Sequence, residues 1–319
     1  MSATPQDALK AITTTDLGDS GTLPREMFDE FFRDVQNQAA VLDAVRTVPI
    51  GRSKTRIPTI SVGERLMRGQ AEETDQDLTN VSTGHVDIDA EKGSVYWDLT
   101  RETAEENPER EDLADTILTM MAQQWAVDTE DLGFNGDEED ASGGDSEAFL
   151  SQNDGWFKVA EEESSPVYDH QEADTDQPID TELFHETIQT LDSKYLREIN
   201  GQAPVFMLNS KQLQEYGFNL TDREDGLGAA VLMADTDVNP FGYDIIGSPV
   251  VPEGEGLFTN PMNLIYALRY DVRIDVAQET DKTFDNDLYA RYKIVGKFDF
   301  AIQDSDAVVR IEGIEEVSA

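Results

Sequence analysis

The sequence predicts a mixed α+β fold with long antiparallel strands towards its C-terminal end. Up to about residue 200, apolar residues recur mainly at helical spacing, interrupted by one stretch that alternates like a hairpin. From Gly201 onward the pattern changes to short apolar runs and to alternation at every second position. A chain of 319 residues can hold one large domain or two small ones.

The composition is strongly acidic, with 67 Asp and Glu against 24 Lys and Arg and a formal net charge of −43. At low ionic strength this like charge destabilises the compact state, whereas at molar salt the Debye length falls to about 3 Å and screens most of it. The acid is spread along the whole chain, and apolar runs recur at regular spacing. We therefore expect a folded protein adapted to high salt; an ordinary acidic protein and a disordered one are the alternatives.

Several classes of protein are disfavoured. There is no cysteine, so no disulfide framework or thiolate metal site is expected. No apolar run reaches the roughly 18 residues of a membrane span, and residues 1–10 lack the features of a signal peptide. The acidity also argues against binding nucleic acid through phosphate contacts, which need clustered Lys and Arg.

The first hundred residues predict an arm, a helix and a hairpin. Residues 1–22 are small and polar, and a helix is expected between Pro24 and Pro49. Residues 50–100 predict a long β-hairpin, with a first arm at 50–67 and a return arm that alternates. It has too little apolar content to bury itself, and isolated hairpins are marginal in water, so it needs another surface to lie on.

Two amphipathic helices are expected in the middle of the chain. Asn107 and Pro108 form a helix start, and the helix should run to about residue 130. Residues 131–180 are acidic and loop-rich around an apolar island at Phe149, Leu150, Trp156 and Phe157. The second helix should follow Asp180 and reach about Ile199.

The remaining segments predict strands joined by loops. Residues 217–242 are expected to be a loop, and residues 288–300 a long strand broken or bulged at Gly296. The other expected strand pieces are at 205–208, 250–251, 257–258, 264–267, 272–276 and 308–314.

Catalytic, metal-binding and cofactor-binding signals are weak, and we expect no enzyme. His185 and Glu186 resemble the start of a zinc-protease helix, but Gln189 stands where the second imidazole is required. A salt-adapted hydrolase that uses carboxylates remains an alternative, although no acid and base are marked as a tuned pair.

A basic segment stands out in this acidic chain. Six cations fall within 23 residues and are opposed only by Glu64: Arg46, Arg52, Lys54, Arg56, Arg65 and Arg68. They could pair with acids of their own chain. The sharper hypothesis is an intersubunit contact, in which the hairpin lies across the acidic surface of a neighbouring copy, since charge complementarity fixes partner and register and arginine suits bidentate carboxylate contacts.

The order of these elements resembles the major capsid protein of tailed double-stranded-DNA viruses, the fold named after phage Hong Kong 97. Two stretches carry the resemblance. The first is 131–137 followed by 149–156, similar to a segment after the spine helix with an Asn-Gly turn and an Asp-Gly-Trp element. The second is 247–251 with the strands that follow it to 311, similar to the family's closing pattern.

The resemblance implies a division of the chain. It implies an N-terminal arm at 1–49, an extended loop at 50–100, and a peripheral domain at 101–200 with its spine helix at about 108–130. An axial domain would cover 201–265, and long strands at 266–319 would return to the peripheral domain. Lys54 and Lys92 lie in the extended loop, but no asparagine or glutamate matches the family's isopeptide cross-link, so no cross-link is expected.

The implied function is a subunit that assembles as hexamers and pentamers into an icosahedral virion shell, built in the host cytoplasm around DNA that it does not bind specifically. With the charge, this indicates a virus of halophilic archaea. The implied partners are further copies of the chain, a portal and decoration proteins. Only about 22 residues precede the first helix, so the resemblance implies a separate scaffold protein, or none. No membrane partner is expected. An encapsulin-like nanocompartment of the same fold is the alternative.

Overall fold

The computed structural model describes residues 40–61, 82–102, 113–139, 149–172, 175–198, 201–221, 239–269, 273–277 and 286–316. Most of the expected N-terminal arm, at 1–39, lies outside these residues, as do the middle of the expected hairpin at 62–81 and most of the expected loop, at 222–238.

The helices and strands are numbered in chain order. The α-helices are α1 Ala40–Ala44, α2 Leu113–Asn135, α3 Trp156–Glu162, α4 Thr181–Thr190 and α5 Ser210–Thr221. The first seven strands are β1 Arg46–Ile50, β2 Lys54–Ser61, β3 Ser82–Asp89, β4 Glu91–Thr100, β5 Val167–Asp169, β6 Gln171–Glu172 and β7 Thr175–Asp176. The last seven are β8 Val205–Asn209, β9 Ile245–Ser248, β10 Gly256–Thr259, β11 Leu264–Arg269, β12 Arg273–Ala277, β13 Leu288–Ile302 and β14 Val308–Glu312.

Strand β13 organises the larger sheet. Strands β11 and β12 pair antiparallel with its residues 298–302 and 291–295, and β1 adds in parallel to β11. Strand β4 pairs antiparallel with residues 288–298, which overlap both ladders, so it occupies the opposite edge of β13. The chain therefore enters this sheet on one side of β13, at β1, and returns on the other side, at β4.

Three smaller groupings complete the architecture. A second sheet has the strand order β5-β14-β10-β8-β9. Strands β2 and β3 form a separate two-stranded antiparallel ladder, called the ribbon below. Strands β6 and β7 form a short hairpin. Within the described part of the chain, every helix is too short or too polar to traverse a bilayer.

Aromatic packing holds the inner face of the larger sheet against α2 and α3. Trp156 is fully buried and stands edge-on to Phe134 and Phe300, with ring centroids 5.3 and 5.2 Å away. Its indole Nε1 donates to the carbonyl oxygen of Ile265 at 3.3 Å. Because buried aromatic rings contribute large apolar area and specific geometry, this island fixes the helices on the sheet.

A second core lies between the second sheet and helices α4 and α5. Phe206 stacks on Phe258 at 4.3 Å, and Phe184 meets Phe206 edge-on at 4.9 Å. Helix α4 begins as the sequence predicts, because the Asp180 carboxylate accepts hydrogen bonds from the backbone N–H groups of Glu182 and Leu183.

The long helix and the long strand expected from periodicity are present. Helix α2 extends to Asn135, past the expected end near residue 130, and the side chains of Leu132 and Phe134 in its last turn are both buried. Strand β13 shifts register between Leu288 and Ala290, whereas Gly296, where a break was expected, sits in register opposite Gly93.

Four other expectations need correction. Strand β4 leaves the predicted hairpin because Trp97 stacks on Tyr292 of β13 at 5.1 Å, which buries its alternating face in the larger sheet. Helix α5 covers the start of the expected loop because burial of Tyr216 outweighs the low helix propensity of the next residue, a glycine.

The second helix is shorter than expected, and residues 250–251 form no strand. Helix α4 ends at Thr190, where Leu191 turns to an extended backbone and Asp192 accepts a hydrogen bond from the N–H of Lys194. Residues 250–251 lie in a turn, where the carbonyl oxygen of Val251 accepts from Asn209 Nδ2 at 2.6 Å.

Candidate assembly surface

The ribbon carries two of the six cations singled out in the sequence, and both pair across its ladder. Lys54 lies opposite Asp89, with Nζ 2.5 Å from Oδ2, and Arg56 lies opposite Asp87, with Nε 2.7 Å from Oδ1. The hydrogen bond that Lys54 donates to the Asp89 carboxylate is the main cause that raises the pKa of Lys54. These side chains are 82% and 71% exposed, and exposed ion pairs add little stability, so the pairs leave the cations accessible to a further carboxylate.

The other four cations are placed differently. Arg52 lies in the turn before β2, is exposed, and its carbonyl oxygen accepts from Thr55 Oγ1 at 2.9 Å. Arg46 lies on β1 of the larger sheet and donates from Nη1 to Gln303 Oε1 at 2.7 Å. Arg65 and Arg68 lie outside the described residues. The structure therefore brings Arg52, Lys54 and Arg56 together and separates Arg46 from them.

The base of the ribbon is packed against the outer face of the larger sheet. The side chain of Ile88 is 2% exposed. Its apolar cluster consists of Ile50, Ile88, Ala90, Ile265, Ala267 and Ala301. Alternation along β3 thus puts its apolar side chains on this sheet, and Asp87 and Asp89 on the other side, beside the ribbon cations.

Hydrogen bonds reinforce this attachment. The backbone N–H of Asp89 donates to Asp299 Oδ2 of the larger sheet at 2.7 Å. The N–H of Ala90 donates to the carbonyl oxygen of Ser53 at 2.9 Å, which closes the base of the ribbon itself. Asp299 also accepts from the N–H of Phe300 at 2.9 Å. Burial is the main cause that raises the pKa of Asp299 above its ordinary value.

An acidic cleft of about 660 Å³ opens between the ribbon and the segment that follows α2. Five carboxylates and two cations line it: Asp87, Asp89, Glu138, Asp154, Asp299, Lys54 and Arg56. Desolvation raises the pKa of Glu138, and the nearby carboxylates of Asp154, Asp299, Glu91 and Asp89 raise it further. The cleft concentrates negative charge beside the ribbon.

None of the described residues forms a group of three or more histidine, cysteine or carboxylate side chains arranged to hold a metal ion. His185, considered in the sequence as a zinc ligand, is exposed and lies beside Glu186, with Nδ1 2.9 Å from Oε1.

Sequence reasoning missed a second basic surface, on the outer face of the larger sheet. Arg291 makes a bidentate pair with Asp98, both distances being 2.6 Å, and this pairing lowers the pKa of Asp98. Lys293 lies over the ring of Tyr96, with Nζ 4.8 Å from its centroid. Alternation along β4 and β13 was the available signal, but it does not reveal which strands become neighbours.

Charge is segregated over the described residues. Of their sixteen Lys and Arg, ten lie on the ribbon, on the turn before it or on the larger sheet: Arg46, Arg52, Lys54, Arg56, Lys92, Arg269, Arg273, Arg291, Lys293 and Lys297. Residues 149–172 and 175–198 carry twelve Asp and Glu against three Lys and Arg. Most Lys and Arg of the described residues therefore lie on the ribbon and the larger sheet, although the chain as a whole is strongly acidic.

Comparison with known proteins gives one sequence relative of nearly equal length. The chain is 26% identical over 323 residues to the Bacillus subtilis (strain 168) protein named "Putative prophage capsid protein YqbE", and the match covers 96% of both chains. No family model matches the sequence.

Solved structures share the fold. A chain of the satellite phage P4 procapsid including size determination (Sid) protein superposes with a TM-score of 0.68 at 14% identity, covering 94% of this chain and 95% of that one. The holo-SrpI encapsulin complex from Synechococcus elongatus gives a TM-score of 0.55 at 11% identity, over 100% and 98% of the two chains. The chain therefore has the mixed helix and sheet fold found in phage capsid and encapsulin shells.

Proposed function

We propose that the chain is the major capsid protein of a tailed double-stranded-DNA virus. The observation that carries this proposal is the end-to-end match with a protein named as a prophage capsid protein, covering 96% of both chains. The fold shared with a phage procapsid chain over 94% of this chain supports it independently. A match of this extent includes the ribbon segment and the closing strands, not only a common core.

In this proposal the subunits form hexamers and pentamers that tile an icosahedral shell around DNA. The division into arm, extended loop, peripheral domain, axial domain and closing strands belongs to the proposal. So do the portal, scaffold and decoration partners, the location in the virion and the assembly in the host cytoplasm. The net negative charge of the shell repels the packaged DNA, which is enclosed without being specifically bound.

The ribbon is the proposed intersubunit contact. Exposed Lys54 and Arg56 stand on a two-stranded ladder that carries little apolar surface of its own, and exposed Arg52 lies in the turn before it. Arg46, Arg65 and Arg68 complete the proposed set. An acidic surface on the neighbouring copy is the complementary partner, because opposite potentials select both the partner and its register.

Adaptation to high salt, as in a virus of halophilic archaea, is the other part of the proposal. A net charge of −43 makes each subunit repel its neighbours at low ionic strength. At molar salt the screening length of about 3 Å removes this repulsion beyond direct contact, so apolar and close polar contacts can hold the shell.

The decisive experiment is to express the chain in molar KCl and examine the product by electron microscopy. Closed shells of uniform diameter are expected. A chain that remains monomeric in concentrated salt would overturn the proposal. Dialysis of assembled shells to low salt should dissolve them, and shells unchanged by that treatment would remove the salt-adaptation part alone.

A nanocompartment shell is the second candidate, favoured by the superposition on an encapsulin complex. Both candidates predict closed shells, so the contents decide between them. Particles purified from their native source that hold nuclease-protected double-stranded DNA indicate the virion, and particles that hold a protein cargo indicate the compartment.

A further inference from the structure

Strand β4 pairs on one side only. Within the described residues its single strand partner is β13. The ladder between them runs without a break from the Leu99–Ala290 pair to the Glu91–Phe298 pair. In an antiparallel ladder every second residue turns both its N–H and its C=O away from the partner. Residues 91–98 therefore offer a row of backbone donors and acceptors along the other side of β4, called the open edge below.

The open edge has few of the features that protect strands from pairing with another chain. Natural edge strands are protected by proline, bulges, very short length or charged side chains. Strand β4 has ten residues, contains no proline, and carries charge only towards its ends, at Glu91, Lys92 and Asp98. Residues 93–97 between them are uncharged, so the middle of the strand can accept another strand.

A small pocket of about 130 Å³ lies along the same edge. Residues 93–95 of β4 line it, three polar residues complete the lining, and its aromatic wall consists of Trp125, Phe149 and Phe298. Consecutive residues of a strand point to opposite faces, so contact with all of 93–95 places the pocket beside the strand rather than over one face. An apolar cavity of about 150 Å³ can hold benzene, so this pocket has room for a valine side chain.

We infer that β4 pairs antiparallel with β4 of a second copy, across a two-fold axis that passes through Val95. This inference rests on the self-assembly proposed above, and the contact is separate from that of the ribbon. In a two-fold contact both copies present the same residues, so the strand must be complementary to itself in one register.

The uncharged centre of β4 meets this condition with Val95 on the axis. Ser94 then lies opposite Tyr96 of the second copy, and Gly93 lies opposite Trp97 of the second copy. Each pair joins a small residue to an aromatic one, and an aromatic side chain beside a glycine of the neighbouring strand covers it. Val95 is itself partly buried against the core, and the second copy's valine would lie beside it at the pocket.

The charged ends of β4 agree with the same register. Lys92 lies opposite Asp98 of the second copy at both ends of the contact, and opposite charges on directly opposed residues stabilise a sheet. Asp98 keeps its bidentate pair with Arg291 of its own chain. A shift of two residues would place Lys92 opposite Tyr96 or Thr100 and lose the charge match, and a shift of one would oppose inner and outer faces.

The test uses the absence of cysteine from the chain. Val95→Cys introduces one thiol that faces its own copy across the axis, where opposed Cα atoms are about 4.5–5.5 Å apart and within disulfide range. Val167→Cys is the matched control, because Val167 is 45% exposed and lies on β5, an edge strand of the second sheet. Shells of each variant, assembled in molar KCl, are oxidised and analysed on non-reducing gels. We expect at least about tenfold more covalent dimer from Val95→Cys than from the control.

Two further variants test the register, and they carry the test if Val95→Cys fails to fold. Ser94→Cys and Tyr96→Cys should each form little dimer alone, because their thiols are then diagonal neighbours about 7–8 Å apart. Shells assembled from an equal mixture of the two should form covalent dimers, since these residues oppose each other across the axis. A dimer that forms from Ser94→Cys or Tyr96→Cys alone as readily as from the mixture contradicts the register.

Other outcomes separate this inference from the proposed function. Equal cross-linking of Val95→Cys and Val167→Cys in closed shells overturns the contact and leaves the proposed function intact. The same conclusion follows if assembly protects the Val95→Cys thiol from maleimide without forming a dimer, because a different segment then covers the open edge. A wild-type chain that forms no shell refutes the proposed function itself.

Discussion

Replacing Ile88 with alanine should release the base of the ribbon without unfolding the rest of the chain. The Ile88 side chain is 2% exposed and packs against Ile265, Ala267 and Ala301 on the outer face of the larger sheet. Truncating a buried isoleucine to alanine costs about 2–5 kcal/mol, because transfer energy is lost and a cavity remains. Since this cluster joins only the ribbon base to the sheet, the loss should fall on local opening of the ribbon.

Hydrogen exchange measures that opening directly. A loss of about 2–5 kcal/mol corresponds to about 30- to 5,000-fold faster exchange of the β2 and β3 amides. Amides of β10 and β14, in the second sheet, should keep their wild-type rates. Ile57→Ala is the matched control: Ile57 is only partly buried, and its truncation should cost about 1 kcal/mol, or about fivefold in exchange.

Two outcomes would refute this reasoning. Unchanged exchange in the ribbon of the Ile88 variant would show that the apolar cluster does not hold its base. Equal acceleration in β10 and β14 would show that the ribbon does not open as a local unit.

Three further predictions concern other parts of the molecule. Burial raises the pKa of Asp299, so the folded state binds a proton at this carboxyl more readily than the unfolded chain does. Lowering the pH from 7 towards 4 should therefore stabilise wild type relative to Asp299→Asn. Denaturant unfolding at constant molar salt should show that the unfolding free energy of wild type minus that of the variant increases as pH falls, and a pH-independent value contradicts this. Gly136→Ala would place a Cβ 2.2 Å from the carbonyl oxygen of Asn153 and should cost about 3 kcal/mol or abolish folding, while Gly51→Ala, with nothing within 4 Å, should melt like wild type. Asp180→Ala removes the N-cap of α4 and should cost about 1 kcal/mol in denaturant unfolding, whereas Asp180→Ser should recover most of it.

Elements with long, regular apolar spacing were predictable from the sequence. Helix α2 and strand β13 repeat their pattern over enough residues to identify the type of each element, although Met120, on the apolar stripe expected for α2, is 57% exposed. The cap at Asp180 is also local, since the carboxylate needs only the two N–H groups that follow it. Short apolar runs were less informative, and residues 250–251 form a turn although two adjacent valines favour a strand.

Strand partners could not be predicted in the same way. Alternation in β4 identifies which side chains are buried, but the same pattern fits a return arm of the ribbon and an edge strand of the larger sheet. Stacking of Trp97 on Tyr292, 195 residues later in the chain, decides between them. A contact of that kind leaves no local signal in the sequence.

The candidate surface was predictable only where its residues are close in sequence. Arg52, Lys54 and Arg56 stand out as a cluster, and the common face of Lys54 and Arg56 on the ribbon follows from period-2 alternation. The outer face of the larger sheet brings Lys92 and Lys297 together from two strands, and neither is unusual among its own sequence neighbours. Such a surface becomes visible only when the sheet order is known.

The two attachments of the ribbon determine how it carries mechanical load. In chain order the ribbon follows β1 and precedes β4, and these two strands lie on opposite sides of β13. Tension applied at its far end therefore reaches the body of the subunit at two separate strand pairings, β1 with β11 and β4 with β13, and both must break before the ribbon detaches. A hairpin attached through a single strand pairing could be detached from one end, whereas a hairpin attached on both sides distributes the load over the whole sheet.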